Sequence, residues 1–166
     1  GTQTVFSYIE SRGGQHDRTL FFGLQYLLKE YFASPVTQAD IEAFLDRLAS
    51  SGATFTEVSD GIWNVRPAGD LDFGVVVHYS PPVVLLRVKV MDLPKDASND
   101  GAMYRRLLEL NASDLLHGSY GIQDDTVVLT EALELSHLDY EEFLASYESI
   151  TLALASNIRE LATFRE

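Results

Sequence analysis

The run Val75-Val76-Val77-His78-Tyr79-Ser80-Pro81-Pro82-Val83-Val84-Leu85-Leu86-Arg87-Val88-Lys89-Val90 decides the fold. Two β-prone segments flank Ser80-Pro81-Pro82, and a proline pair cannot extend either hydrogen-bonded ladder, so the passage predicts two strands joined at a turn. The second segment alternates at its end. Leu86, Val88 and Val90 fall on one side and Arg87 and Lys89 on the other, which is the pattern of a strand with one buried and one wet face.

Working back toward the N-terminus, Phe55 and Val58 lead to Asp60-Gly61, a dipeptide that reaches positive φ at low cost, and Ile62, Trp63 and Val65 run back until Pro67. This reads as a second hairpin. Before it, Thr37 is placed to cap a helix with apolar residues at Ile41, Phe44, Leu45, Leu48 and Ala49, and Gly52 stops it. A further helix is expected over Thr19–Phe32, where Leu20, Phe21, Leu24, Leu27, Leu28 and Tyr31 make one wide apolar face that Pro35 ends. Residues 1–18 add a short aromatic segment, Val5-Phe6-Ser7-Tyr8-Ile9, and then Gly13-Gly14.

Toward the C-terminus, Pro94 closes the strand group, Ser98 or Asn99 can cap a helix from about Ala102 to Asn111, and Met103, Leu107 and Leu110 face inward. Tyr120 and Ile122 then lead into Asp124-Asp125, and Val127, Leu129, Leu133 and Leu135 lead out, with a bend expected near Glu131-Ala132. Leu138-Asp139 opens a long helix, acidic in its first turn and with Arg159 near its end, as the helix dipole favours. Its apolar set, Tyr140, Phe143, Tyr147, Ile150, Leu154, Ile158 and Leu161, steps by three and four.

The element order is therefore α–α–β–β–β–β–α–β–β–α, an α+β fold with an antiparallel sheet and helices packed on it. Its expected core holds Phe44, Leu48, Trp63, Val76, Leu86, Val88, Leu107, Leu129, Phe143 and Ile150. No repeat or linker divides the chain, although residues 1–33, an aromatic arm and helix, stand apart from residues 34–166.

The balance of 12 Lys and Arg against 25 Asp and Glu gives a net charge of −13. Between Arg106 and Arg159 there is no Lys or Arg while ten acids lie there, a surface that repels phosphate. Nucleic acid and anionic membrane are excluded as partners on this ground. Cysteine is absent, which removes disulfides, thiolate nucleophiles and Cys-ligated metal together and permits a cytoplasmic location. No apolar run approaches a membrane span. There is no signal-peptide pattern, but the chain opens on Gly1-Thr2 rather than Met, so this absence weighs little.

No catalytic, cofactor-binding or metal-ligating residue is assigned. Asp96-Ala97-Ser98-Asn99-Asp100-Gly101 has the opening of a calcium loop, but Leu107 stands where a bidentate Glu is needed. His16, His78, His117 and His137 form no ligand-spaced pair. Asp124 and Asp125 read as a hairpin turn, because adjacent strand residues point to opposite faces. Gly13-Gly14 lacks the strand and lysine of a phosphate loop, and no G-x-S-x-G elbow occurs.

Leu107-Leu108-Glu109-Leu110-Asn111, Gly118-Ser119-Tyr120-Gly121-Ile122-Gln123-Asp124-Asp125, Val127-Val128-Leu129, Leu133-Glu134-Leu135 and Leu138-Asp139-Tyr140-Glu141-Glu142-Phe143 together resemble the second half of the YbjN family. More distantly they resemble class I type III secretion chaperones of the CesT kind. The likeness is clear over residues 105–150, extends over 36–104 and is absent before residue 34. It implies a secretion-chaperone-like α-β-β-β-α-β-β-α core, here with an extra N-terminal helix, in a small acidic homodimer that holds another protein chain. The implied function is a non-enzymatic protein-binding module, chaperone-like or regulatory, without cofactors. An enzyme or small-molecule binder using the sheet face is the alternative. The apolar surface left uncovered, rimmed by the acids of residues 107–158, would favour basic or amphipathic client segments.

Overall fold

The computed structural model describes residues 35–94 and 100–165, all within the unit Pro35–Glu166. The expectations for residues 1–33, including the helix at 19–32, and for the acidic loop and cap at 96–99 lie outside the described residues. The described order is α1 (Gln38–Ser50), β1 (Thr54–Ser59), β2 (Ile62–Arg66), β3 (Val75–Ser80), β4 (Val83–Asp92), α2 (Asp100–Ser113), β5 (Ser119–Gln123), β6 (Thr126–Glu134) and α3 (Tyr140–Ala162), closed by a 3-10 turn at Thr163–Arg165. Four strands separate α1 from α2, as the residues predict, one more than the family pattern counts.

The six strands form one sheet in the order β1-β2-β3-β4-β6-β5, and every neighbouring pair is antiparallel. Ser80 pairs with Val83 across the Pro81-Pro82 turn, and the β3–β4 ladder continues to Val76 opposite Arg87. At the other tight hairpin Asp124 and Asp125 both take positive φ, 48° and 58°, the geometry that twists a two-residue turn to match its strands. The bend expected at Glu131-Ala132 is absent. The β4–β6 register runs without a shift from Val83–Glu134 to Lys89–Val128 and breaks between Lys89 and Met91. A bulge there lets both Val90 and Met91 point inward, and both are buried.

All three helices lie on one face of the sheet. Thr37 and Asp40 form a reciprocal capping box at the start of α1, with the Thr37 amide donating to Asp40 Oδ2 at 2.8 Å. This fixes the phase that buries Ile41, Leu45 and Leu48. Phe44, expected in the core, is only half-buried and instead seals the seam to α3, its ring 5.7 Å from Tyr140 and 5.5 Å from Phe143. Arg47 stacks over Tyr140 at 3.4 Å and reaches Glu141 at 3.3 Å. The Asp139 side chain accepts from the Glu142 amide at 2.8 Å to cap α3. On its other flank α3 holds α2 through a two-pronged pair between Arg106 and Glu160.

Between these layers Trp63, Leu86, Val88, Leu107, Leu129, Phe143 and Ile150 are buried with Met103 and Leu110. Val76 is the correction to the expected core. It is 36% exposed, while Val75 and Val77 are fully buried, because strand alternation forces the middle valine of the triplet to the opposite face. Ile158, on the stripe of α3, is half-buried. Gly118 turns the chain into β5 at φ +80°, where a Cβ would stand 3.0 Å from both Ile150 Cγ2 and the Thr130 carbonyl oxygen, so glycine alone suits both the dihedral and the space.

Candidate interaction surface

Two areas of the described surface stand out. The first is the sheet face away from the helices. Register places Asn64, Val76, Arg87, Thr130 and Ser119 in one row across five strands, and Ile62, His78, Leu85 and Ala132 in the next. These side chains are half-buried or exposed. Arg66 and Lys89 belong to the same face by alternation, so this face carries cations in a chain of net charge −13.

The second area is a groove of about 550 Å³ between the segment Asp114–His117, which follows α2, and the outer side of α3. Leu116 and Leu152, Ala145 and Ala153, and the acids Asp114 and Glu148 line it together with His117. Leu116 is 90% exposed and Leu152 67%, values that leave two large apolar side chains facing water. They are separated from the core by the body of α3, whose inward residues Ile150 and Leu154 are fully buried. Some polar atoms of α3 and β5 are left unsatisfied by the packing. Ser146 Oγ, the Tyr147 hydroxyl, Asn157 Nδ2 and the Tyr120 hydroxyl are buried without a hydrogen-bond partner. Burial pushes the Tyr147 phenol up to about 12. It also raises the Tyr120 phenol, which the neighbouring Asn157 side chain opposes.

The histidines stay apart. His78 sits in β3 between Ile62 and Leu85 in register, His117 lines the α3 groove, and His137 lies in the turn before α3; His16 lies outside the described residues. Asp124 and Asp125 form a turn. Among the described residues no three His, Asp or Glu side chains converge to hold a metal ion, and no described helix is long and apolar enough to cross a membrane. The groove was not legible as a site in the sequence, although one signal pointed to it: Leu152 lies two residues before Leu154, well off the apolar stripe of its helix.

The family model CesT_Tir_1 matches residues 35–166. Among solved structures, the chain is similar to one from the ExoU–SpcU complex of the type III secretion system of Pseudomonas aeruginosa, with 16% identity, TM-score 0.53, and coverage of 72% of this chain and 95% of that one. It is similar to YbjN from E. coli, with 19% identity, TM-score 0.53, and coverage of 76% and 96%, and to a chain of the ExsC–ExsE complex, with 16% identity, TM-score 0.53, and coverage of 75% and 95%. These likenesses give the fold, and they agree with the resemblance carried by residues 107–143. A different likeness covers the start of the chain. The model of the nicotinamide phosphoribosyltransferase N-terminal domain matches residues 1–60. A nicotinamide phosphoribosyltransferase of Xanthomonas campestris pv. campestris (strain 8004) is 53% identical over 57 residues, 34% of this chain and 12% of that protein's length. Of these residues, 1–33 are the aromatic arm and helix expected from the sequence. The two family matches overlap over residues 35–60, so helix α1 and strand β1 fall within both.

Proposed function

We propose, for a chain that belongs to the CesT_Tir_1 family through residues 35–166, a non-enzymatic role in binding another protein, chaperone-like or regulatory. It acts in the cytoplasm as a small acidic homodimer, with residues 34–166 as the binding domain and residues 1–33 as an appended arm. The observation that carries this reading is the family match over a unit whose described residues include a mixed polar sheet face and an exposed apolar groove. The ExoU–SpcU and ExsC–ExsE structures are complexes of two proteins, which supports the same use of the fold here. The acidic surface makes nucleic acid and anionic membrane poor partners.

Two experiments test it. Light scattering at micromolar concentration is expected to give twice the 18.5 kDa monomer mass, and a monomer mass overturns the dimer. Tagged protein, full-length or lacking residues 1–33, is expected to retain a reproducible stoichiometric partner from the native host, and no such partner for either form overturns the binding role.

The second reading, an enzyme or small-molecule binder using the sheet face, draws support from the match of residues 1–60 to the nicotinamide phosphoribosyltransferase N-terminal domain. A thermal-shift screen with nicotinamide, ATP, calcium, zinc and magnesium separates the two, because a ligand that binds only the folded state raises its stability by mass action. A flat screen is expected for the protein-binding module. A saturable shift favours the second reading.

A further inference from the structure

We infer that the groove on the outer side of α3 is the seat of a basic amphipathic helix presented by a protein partner; this rests on the protein-binding reading and gives it a place and a chemistry. Small residues at Ala145, Ser149 and Ala153 recur every fourth position along the groove, so the backbone of α3 is open to close approach by another helix. The lining from Ala145 to Ser156 spans about 16 Å at about 1.5 Å per residue, room for about three turns of a partner helix. Leu116 and Leu152, both lining the groove and both exposed, supply the anchors for an apolar stripe.

Charge selects among the possible occupants. Asp114 and Glu148 are among the lining residues. Arg106 of α2 is already bound to Glu160 and Glu109, and no Lys or Arg occurs between it and Arg159. A second copy of this chain docked groove to groove would set these carboxylates against their own equivalents, a like-charge arrangement that costs affinity. An anionic lipid surface meets the same repulsion. A helix with leucine on one face and lysine on the flanks satisfies both the apolar and the acidic lining residues.

The test uses the full chain and two labelled peptides of about 18 residues, long enough to hold a helix. One is an amphipathic Leu/Lys sequence and the other has the same Leu pattern with Glu in place of Lys. Fluorescence anisotropy is expected to show saturable one-to-one binding of the Leu/Lys peptide that weakens with salt, and none of the Leu/Glu peptide. Leu152→Ala and Leu116→Ala are each expected to weaken binding about tenfold, with thermal melts near wild type because both side chains already face water. Val58→Ser, in β1 and 62% exposed, belongs to neither surface and is expected to leave it unchanged. Absence of Leu/Lys binding, equal binding of both peptides, or indifference to Leu116 and Leu152 overturns the proposal. So does loss of a homodimer in Leu152→Lys, which would make a second copy the occupant. A native partner retained by the whole chain but insensitive to Leu152 removes this seat and leaves the protein-binding reading standing.

Discussion

The side-chain amide of Asn111 completes the backbone of Tyr120. Its Nδ2 donates to the Tyr120 carbonyl at 3.1 Å, and its Oδ1 accepts from the Tyr120 amide at 2.7 Å. Tyr120 pairs with Leu129 in β6, so the groups held by Asn111 are those turned to the outer edge of the sheet. One residue of α2 therefore stands in for a seventh strand at that point and blunts an edge that would otherwise invite another chain.

Removing that amide leaves two part-buried backbone groups unpaired. Asn111→Ala is expected to cost about 1–3 kcal/mol, read as a lower urea midpoint with an unchanged slope. Hydrogen exchange at the Tyr120 amide should accelerate more than at residues of β3. An unaltered exchange rate would show that the clamp does not hold the strand in solution.

Phe143 and Val76 give opposite expectations from residues that both look apolar in the sequence. Phe143 is fully buried beneath Phe44, and Phe143→Ala is expected to cost about 3–5 kcal/mol. Val76 is 36% exposed, and Val76→Ala is expected to stay within about 0.5 kcal/mol. Equal losses in thermal melts would contradict the assigned strand phase.

The Tyr147 hydroxyl is buried without a partner, and its phenol is raised from 10.0 to about 12. A folded-state value above the unfolded one means that the contribution is complete below pH 10 and is lost as pH rises through about 12. Tyr147→Phe is therefore expected to match or exceed wild-type stability at pH 7 and to gain on it between pH 10 and 12. Denaturant melts across that range check the sign. Tyr120 shifts in the same direction, so some alkaline loss should remain in the variant.

Ser146 lies inside α3 with no exposed surface and an unpartnered Oγ. Ser146→Ala removes an unsatisfied polar atom and improves helix propensity, and is expected to stabilise the fold by about 0.5–1 kcal/mol. A destabilised melt would reveal a hydrogen bond to that hydroxyl.

Much of this arrangement is legible in the residues because local chemistry and tertiary position agree. Thr37 and Asp40 announce a capped helix, and Asp124-Asp125 announces a turn. Leu86, Val88 and Val90 alternate with charges, which fixes which side of β4 is wet. Where the local pattern is degenerate it fails. Three consecutive valines, Val75 to Val77, carry no parity of their own, and only pairing with β2 and β4 decides that Val76 faces out. Phe44 lies at the margin of its helical face, where a neighbour decides its burial, and that neighbour is an aromatic pair on α3 about 100 residues away. The groove required knowing that Leu116, in a loop, comes to line the same surface as Leu152. The likeness of residues 1–60 to a phosphoribosyltransferase segment was carried by ordinary residues without a motif, so only comparison with known sequences brings it out.

Strand β4 joins two ladders with different entropic costs. On one side it continues a meander from β1 to β4 in which every pairing closes a short stretch of chain. On the other it meets β6, and their closest approach in sequence, Asp92 with Thr126, spans 34 residues. Loop-closure entropy makes the meander and the β5–β6 hairpin quick to zip and their union slow. The seam between β4 and β6 is thus where folding becomes a long-range event, and α2, the element threaded through that loop and clamped to β5, travels with the hairpin when the halves meet.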